Sequence, residues 1–173
     1  MINIINTSIE EVKIIEPKVY KDSRGLFFES FNQKDFFNKI GKINFIQDNE
    51  SKSSFGILRG MHYQMPPFEQ SKLVRVISGE IQDIAIDIRK NSPTYLKYVS
   101  VILNDTNRKQ VFIPKGFAHG FLVLSEEAVI NYKVDNYYNL QSEKTYLFND
   151  KKINIEWRLD HKEIKLSKKD KGL

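Results

Sequence analysis

Cysteine is absent from this sequence of 173 residues, and histidine occurs only three times. The absence of cysteine excludes a disulfide framework, a thiolate nucleophile and a cysteine-ligated zinc site. No apolar run approaches the roughly 18 residues that a membrane-spanning helix needs. The opening segment, MINIINTSIEEVKII, carries acidic residues and only a short apolar run, unlike a signal peptide. Together these features predict a soluble cytoplasmic protein.

The net charge of +5 is concentrated near the C-terminus. Residues 158–173 contain six lysine and arginine residues against three carboxylates, and so contribute +3. A basic chain end differs from the basic face that nucleic-acid-binding domains present, so we expect neither nucleic acid nor a membrane as a partner. With 40% hydrophobic residues, the chain is long enough to bury one core, and residues 1–173 are predicted to form a single domain.

Hydrophobic and polar residues alternate along most of the chain, which is the period of a β-strand. In EIQDIAIDIR, Ile84, Ile86 and Ile88 fall on one face. The other face carries Asp83, Asp87 and Arg89. The Ser78-Gly79 pair before this run predicts a hairpin with the β-branched run LVRVI. Further short strands are predicted at YVSVIL, QVFIP, GFLVL and AVINYKV. Many short strands separated by turn residues predict an all-β fold, a closed sandwich or barrel of the jelly-roll type.

One short helix is predicted at the periphery, in NQKDFFNKIG. Asn32 is suited to cap its first turn, and Gly41 is suited to end it. Phe36, Phe37 and Ile40 share one side of this helix, which predicts that it packs against the edge of the sheets.

Strand alternation also indicates which polar groups point inward. Tyr132 shares the parity of Ile130 and Val134, which predicts that its ring enters the core. His62 shares the parity of Leu58 and Gly60, and the missing side chain of Gly60 suggests open space beside the imidazole. Each residue alone is also compatible with a purely structural role in the core.

Lys72 shares the parity of Val74 and Val76, which places an ammonium group at the rim of the same apolar face. Taken together with His62 and Tyr132, this lysine predicts a base, an acid and a cation in one pocket.

A catalytic metal is not expected. Metal-binding barrels of the cupin type supply two histidines at alternate positions, whereas His62 is followed by Tyr63 and Gln64. A site with three histidines would require every histidine of the chain, including His161 in the basic C-terminal segment.

Seven motifs, in order and across nearly the whole chain, resemble those of the dTDP-4-dehydrorhamnose 3,5-epimerase family. They are DSRGLFFESF, QDNESKSS, GILRGMHYQMPP, KLVRVISGEI, IPKGFAHGFLVLS, YKVDNYY and LSKKD. The resemblance implies a cupin-like jelly roll, a homodimer, no cofactor, and epimerisation at C3 and C5 of a nucleotide-linked 4-keto-6-deoxyhexose. One departure is Ser71, where the family usually has glycine before the lysine.

The resemblance also implies roles for individual residues. By position in the motifs, His62 matches the general base, Tyr132 the general acid, and Asp170 the carboxylate that partners the histidine. The residues that match ligand contacts of the family are Arg24, Glu29, Gln47, Asp48, Asn49, Arg59, Lys72, His119, Glu143 and Lys169.

The chemistry explains why so few groups suffice. A ketone at C4 acidifies the hydrogens on C3 and C5, and removal of either leaves an enolate whose charge lies on the C4 oxygen. Neutral imidazole can take the proton near pH 7, a carboxylate on its other nitrogen fixes the tautomer, and a tyrosine hydroxyl can return a proton from the opposite face. A buried lysine such as Lys72 can hold the enolate oxygen.

The nucleotide supplies a second set of expectations. The diphosphate is anionic, which makes Arg59, Lys72 and Lys169 candidates for its contacts. Tyr138 offers a face for stacking of the base.

In DSRGLFFESF, taken as one extended segment, Phe27 and Glu29 lie on the same side. A base can then stack on the ring while the carboxylate accepts a hydrogen from thymine or from guanine, and in the family this segment looks like one that crosses to the partner subunit.

Two alternatives to this function stay open. One is an enzyme of the same fold that inverts only C3 or only C5, or that acts on another nucleotide-linked 4-keto sugar such as a heptose. The more remote one is a nucleotide-sugar-binding module without catalytic activity.

Overall fold

The computed structural model describes residues 2–171, in which β-strands are the predominant secondary structure and hold a little under half of the residues. The strands are β1 (Ile2–Asn6), β2 (Lys13–Pro17), β3 (Tyr20–Asp22), β4 (Gly25–Phe27), β5 (Gln47–Ser54), β6 (Leu58–Gln64), β7 (Lys72–Ser78), β8 (Glu80–Asp87), β9 (Tyr98–Asn104), β10 (Gln110–Ile113), β11 (Phe117–Val123), β12 (Glu127–Val134) and β13 (Glu143–Thr145). One α-helix, α1 (Gln33–Lys39), and two 3-10 turns, Leu140–Ser142 and Lys169–Lys171, complete the described elements.

Eleven of these strands form two antiparallel sheets. The six-stranded sheet has the order β1-β2-β10-β7-β12-β5, and the five-stranded sheet has the order β13-β6-β11-β8-β9. Side chains from both sheets meet in one apolar core, which includes Val74 and Ile130 from the first sheet and Ile81 and Phe121 from the second. The remaining strands, β3 and β4, pair only with each other as a hairpin. The predicted antiparallel sandwich is thus present in the structure.

The helix lies where the sequence predicts it. The side chain of Asn32 accepts a hydrogen bond from the backbone N–H of Asp35, as an N-terminal cap does. Phe36 is buried against Phe112 and Ile15 on the outer face of the six-stranded sheet. Nowhere in residues 2–171 is a helix long and apolar enough to cross a membrane.

The predicted hairpin at Ser78-Gly79 is wrong. Strand β7 belongs to the six-stranded sheet and β8 to the five-stranded sheet, so the chain crosses between sheets at this point. Gly79 has φ +84°, and an added Cβ there would lie 2.1 Å from the carbonyl oxygen of Glu127. A turn dipeptide indicates that the chain changes direction, but it does not indicate whether the flanking strands pair.

The isoleucines of strand β8 suggest that their face is the one buried between the two sheets, but the structure shows otherwise. Ile84 and Ile86 face away from the main core and pack with Ile153 and Ile155 of the C-terminal segment. The opposite face, which carries Asp83 and Ala85, points between the two sheets. Both faces of β8 are buried, and the face that carries Asp83 is the one that points between the two sheets.

Candidate active site

A cavity with two adjoining lobes opens between the two sheets. The first lobe has a volume of about 360 Å³ and the second about 500 Å³. Three side chains line both lobes: His62 from β6, Lys72 from β7 and Tyr132 from β12. Because β6 lies in one sheet and β12 in the other, His62 and Tyr132 approach the cavity from opposite walls.

A register shift in β6 decides which side chains of this strand enter the cavity. His62 pairs with His119 of β11, whereas Arg59 pairs with Phe121. An advance of three residues along β6 therefore corresponds to an advance of two residues along β11. The extra residue puts Arg59 and His62 on the same face, and both line the second lobe.

Gly60 lies at this register shift. Open space was expected beside His62 because Gly60 lacks a side chain, and this expectation is wrong. An added Cβ on Gly60 would lie 2.5 Å from the Cα of Gly120, so the glycine permits close approach of two strands.

His62 forms a short contact with Asp170, a residue 108 positions away in the sequence. The distance from Nε2 to Oδ1 is 2.6 Å, and the Asp170 residue is only 4% exposed. Burial lowers the pKa of His62 below its ordinary value of 6.5, although the bond to Asp170 acts in the opposite direction. An imidazole that donates Nε2–H to the carboxylate keeps Nδ1 as a lone pair, the form that a general base requires.

Lys72 lines both lobes of the cavity and is partly buried. Burial lowers the pKa of its ammonium group to about 8, while the negative charges of Asp83 and Glu143 act to raise it. At neutral pH the lysine therefore remains mainly a cation in a poorly solvated place, where its charge has a strong effect on a developing oxyanion.

Tyr132 points inward, as its parity with Ile130 and Val134 predicts. Its ring packs against the main apolar core and lines both lobes. Burial raises the pKa of its hydroxyl above the usual value near 10, so the group remains protonated at neutral pH. A protonated hydroxyl on the wall opposite His62 is placed to donate.

His119 lines the second lobe and is held by a carboxylate that the sequence analysis did not select. Its Nε2 lies 2.9 Å from Oδ2 of Asp83, and both residues are buried. The alternation in EIQDIAID places Asp83 on the face opposite Ile84 and Ile86. That face was not selected, because the isoleucines made their own face the more obvious candidate for the interior.

Polar side chains line the rest of the first lobe. Glu143 accepts hydrogen bonds from the Tyr138 hydroxyl at 2.7 Å and from Lys169 Nζ at 2.5 Å. Burial raises the pKa of Glu143, but these bonds outweigh it and the net pKa is lowered, so the carboxylate is ionised. The other polar residues of this lobe are Gln47, Asn49, Gln64, Glu69 and Gln70, of which the sequence analysis selected the first two.

The second lobe carries cations beside the His62–Asp170 pair. Arg59 donates from Nε to the Ser53 hydroxyl at 2.9 Å, and Lys169 lies at the boundary with the first lobe through its bond to Glu143.

Asp48 does not face the cavity, although the sequence analysis selected it as a ligand contact. It forms an ion pair with Lys133 at 2.8 Å, on the outer face of the six-stranded sheet. The alternation along β5 explains this, because Gln47 and Asn49 point inward and the residue between them points outward.

Arg24, Phe27 and Glu29 also lie apart from the cavity within one chain. The segment DSRGLFFESF is not one extended strand: Arg24 lies in the turn between β3 and β4, and β4 ends at Phe27. Arg24 pairs with Asp22 at 2.6 Å, Phe27 is 67% exposed, and Glu29 lies beyond the strand, where it accepts a hydrogen bond from Asn32. The expectation that Phe27 and Glu29 share one side of a strand is therefore wrong.

Metal-ligating residues are not clustered in the part of the chain that the structure describes. Within residues 2–171, no group of three or more histidine, aspartate or glutamate side chains has a geometry that could hold a metal ion.

Comparisons with known proteins agree with this geometry. The family model for dTDP-4-dehydrorhamnose 3,5-epimerase matches residues 6–173. A dTDP-4-dehydrorhamnose 3,5-epimerase of Shigella flexneri is 55% identical over 156 residues, which are 90% of this chain and 86% of the relative.

Two solved structures are also similar. The structure of a dTDP-6-deoxy-D-glucose-3,5-epimerase from Legionella pneumophila Philadelphia 1, in complex with dTDP-4-keto-L-rhamnose, has a TM-score of 0.96 and 48% identity over 99% of this chain and 91% of that one. A 3'-monoepimerase from Streptomyces bikiniensis, in complex with dTDP-quinovose, has a TM-score of 0.90 and 29% identity over 96% and 84% of the two chains. The cupin-like jelly roll and the family resemblance predicted from the motifs are confirmed, and the chain belongs to the dTDP-4-dehydrorhamnose 3,5-epimerase family of isomerases.

Proposed function

We propose that this epimerase inverts both C3 and C5 of dTDP-4-dehydro-6-deoxyglucose to give dTDP-4-dehydrorhamnose, with His62 as the base and Tyr132 as the acid. The observation that supports this most strongly is the placement of the two groups. The His62–Asp170 pair and the Tyr132 hydroxyl line one cavity from opposite sheets, and Lys72 lines both of its lobes.

The proton transfers balance without a cofactor or a metal. Nδ1 of His62 takes the hydrogen of C3 or C5 as a proton, and the C–H electron pair moves to the C4 oxygen through the enolate. Lys72 stabilises that negative oxygen, and Asp170 stabilises the imidazolium. Tyr132 then gives its proton to the opposite face of the same carbon, and the C4 ketone forms again. Exchange with solvent restores both side chains for the second carbon.

The nucleotide is proposed to bind through charged and aromatic groups around the cavity. Arg59 and Lys169 are suited to the diphosphate, because a guanidinium fork and an ammonium group both match phosphate oxygens. Tyr138 lines the first lobe and is half exposed, which suits it to stacking on the base.

The homodimer that the family resemblance implies is also part of the proposal. The hairpin of β3 and β4 carries exposed apolar side chains, with Tyr20 52% exposed and Phe27 67% exposed. A second copy of the chain would cover these side chains. Arg24, Phe27 and Glu29 would then meet the nucleotide in the partner's cavity, since they do not reach the cavity of their own chain.

Three further expectations remain proposals of the same kind. Residues 1–173 would act as a single epimerase domain, although residues 1, 172 and 173 lie outside the described part of the chain. A cytoplasmic location is supported by the lack of cysteine, which suits a reducing compartment. Neither nucleic acid nor a membrane is proposed as a partner.

Inversion of a single carbon is the second candidate function. The structural similarity to a 3'-monoepimerase supports it, because that protein has the same fold at 29% identity. One base face beside two carbons that flank the same ketone favours inversion of both.

Proton NMR of dTDP-4-dehydro-6-deoxyglucose with the protein in heavy water tests the proposal. We expect deuterium at both C3 and C5, together with the coupling pattern of the rhamno product. Deuterium at one carbon alone would establish the single-centre alternative, and no exchange at either carbon would contradict an active epimerase.

A further inference from the structure

The carboxylate of Asp170 is held by two neighbours on opposite sides. Its Oδ1 lies 2.6 Å from Nε2 of His62, and its Oδ2 accepts a hydrogen bond of 2.8 Å from the hydroxyl of Ser167. The same hydroxyl oxygen accepts the backbone N–H of Asp170 at 3.1 Å. A reciprocal pair of bonds of this kind fixes the backbone and the side chain of one residue together.

We propose that Ser167 is a positioning residue for the reaction, which orients the Asp170 carboxylate so that Oδ1 faces His62. This inference rests on the proposed function, because it assigns Ser167 a task within the pair that removes the proton. Ser167 acts through Asp170, and it is not itself a catalytic residue.

Burial makes this hydrogen bond consequential. Asp170 is 4% exposed, and a buried carboxylate needs donors for both oxygens to compensate for lost water. Ser167 lies two residues before the 3-10 turn Lys169–Lys171 and supplies the donor for Oδ2. The backbone N–H of Lys171 bonds in turn to the carbonyl of Ser167 at 3.2 Å, so the serine anchors the turn that carries the aspartate.

The orientation of the carboxylate determines what His62 can do. With Oδ1 at Nε2, the imidazole donates Nε2–H and presents Nδ1 to the substrate. Without the serine hydroxyl the carboxylate is free to rotate about its side-chain bonds. His62 then loses part of the interaction that raises its pKa, and burial lowers the pKa further.

Charged and titratable groups surround His62 on several elements. Asp170 and Lys169 face it from the C-terminal turn, Lys72 from β7, and Glu143 from β13. The other such groups that line a lobe with His62 are Arg59 and Tyr63 of β6, His119 of β11, Tyr132 of β12, and Glu69 and Tyr138 of the loops. Replacement of Ser167 by alanine changes none of these groups, so a change in the titration of His62 would report on the orientation of Asp170.

Three variants separate positioning from a general loosening of the turn. Ser167→Ala removes the hydroxyl, Ser167→Thr retains it, and Lys168→Ala alters an exposed neighbour in the same segment. The His62 titration is followed by NMR of the imidazole nitrogens, and kcat and KM are measured on the same samples. For Ser167→Ala we expect a lower His62 pKa, a roughly three- to tenfold fall in kcat and an unchanged KM, the range for the loss of one ordinary hydrogen bond.

The threonine variant and the Lys168→Ala variant should match the unmodified protein in both measurements. An unchanged His62 titration in Ser167→Ala would overturn the inference, and so would equal effects of all three variants. Absence of proton exchange in the unmodified protein would overturn the proposed function instead, because the NMR titration decides the role of Ser167 without any substrate.

Discussion

Two regions of the molecule carry proposed site residues: the cavity, which lies between the two sheets, and the β3–β4 hairpin. They differ in whether one chain alone brings those residues together. In the cavity, residues from distant parts of the sequence meet with hydrogen-bond geometry, as His62 and Asp170 do across 108 positions. In the hairpin, Arg24 is tied to its own neighbour Asp22, and Phe27 projects outward. The groups proposed for proton transfer are therefore complete within one chain, whereas those proposed to bind the base from the hairpin depend on a second copy.

This difference separates two kinds of contribution to activity. The cavity groups are proposed to touch the reacting carbons, so their removal should affect the chemical step. The hairpin groups are proposed to touch only the nucleotide, so their removal should affect binding and leave the chemistry at saturation nearly intact.

The largest expected effect is that of His62→Ala. Turnover should fall by roughly 10² to 10⁴, the usual contribution of a positioned general base, and deuterium exchange should fall with it. The matched control is His161→Ala, which changes an exposed histidine that packs edge-on against Phe148 and lines neither lobe of the cavity. Near-normal exchange in His62→Ala would mean that another group is the base.

Glu29→Ala tests the hairpin side of the comparison. We expect dTDP to bind more tightly than GDP or CDP in the unmodified protein, and the variant to lose roughly 1 to 3 kcal/mol of that preference, as for one hydrogen bond to a charged group. Calorimetry with the three nucleotides measures it, and Glu10→Ala, another exposed glutamate, is the control.

The outcomes of this second test are distinct. Tighter binding of GDP by the unmodified protein would indicate a guanosine-linked substrate. An unchanged preference in Glu29→Ala would remove Glu29 from the nucleotide site and leave the hairpin without its proposed role.

The pH profile gives the smallest expected change and concerns the cavity alone. The proposed mechanism requires neutral His62, whose pKa is lowered below 6.5, so the rate should fall only as the pH drops below that value. It also requires cationic Lys72, whose pKa is about 8, so the rate should fall again as the pH rises through about 8. Measurement of kcat/KM from acidic to alkaline pH shows both limbs. An alkaline limb above 10 would assign the loss to Tyr132 rather than to Lys72.

Part of this site follows from local pattern in the sequence. The alternation of Ile130, Tyr132 and Val134 was sufficient to point the tyrosine inward, because both neighbours are apolar and β12 is paired with a strand on each side. Asn32 was recognisable as a helix cap for a similar reason, since the bond it makes spans only three residues. Such predictions succeed where the deciding interactions are local.

The rest depends on contacts that local pattern does not contain. Residues near the C-terminus cover the outer face of β8, so Ile84 and Ile86 face away from the main core while Asp83 faces the interior. The register shift at Gly60 aligns Arg59 with His62, against simple alternation. The partnership of His62 with Asp170 was expected only from the resemblance to the family, because nothing near either residue in the sequence indicates the other.

Tyr132→Phe provides the most direct test of the central claim, that a base and an acid act on the same carbon from opposite walls of the cavity. In heavy water, His62 of this variant can still remove a proton and return a deuteron from its own side, while the donor on the far side is missing. We predict that deuterium exchange at C3 and C5 persists at a rate well above that of inversion. Equal loss of exchange and inversion would contradict the claim, and it would show that Tyr132 maintains geometry or stabilises the enolate instead of delivering the proton.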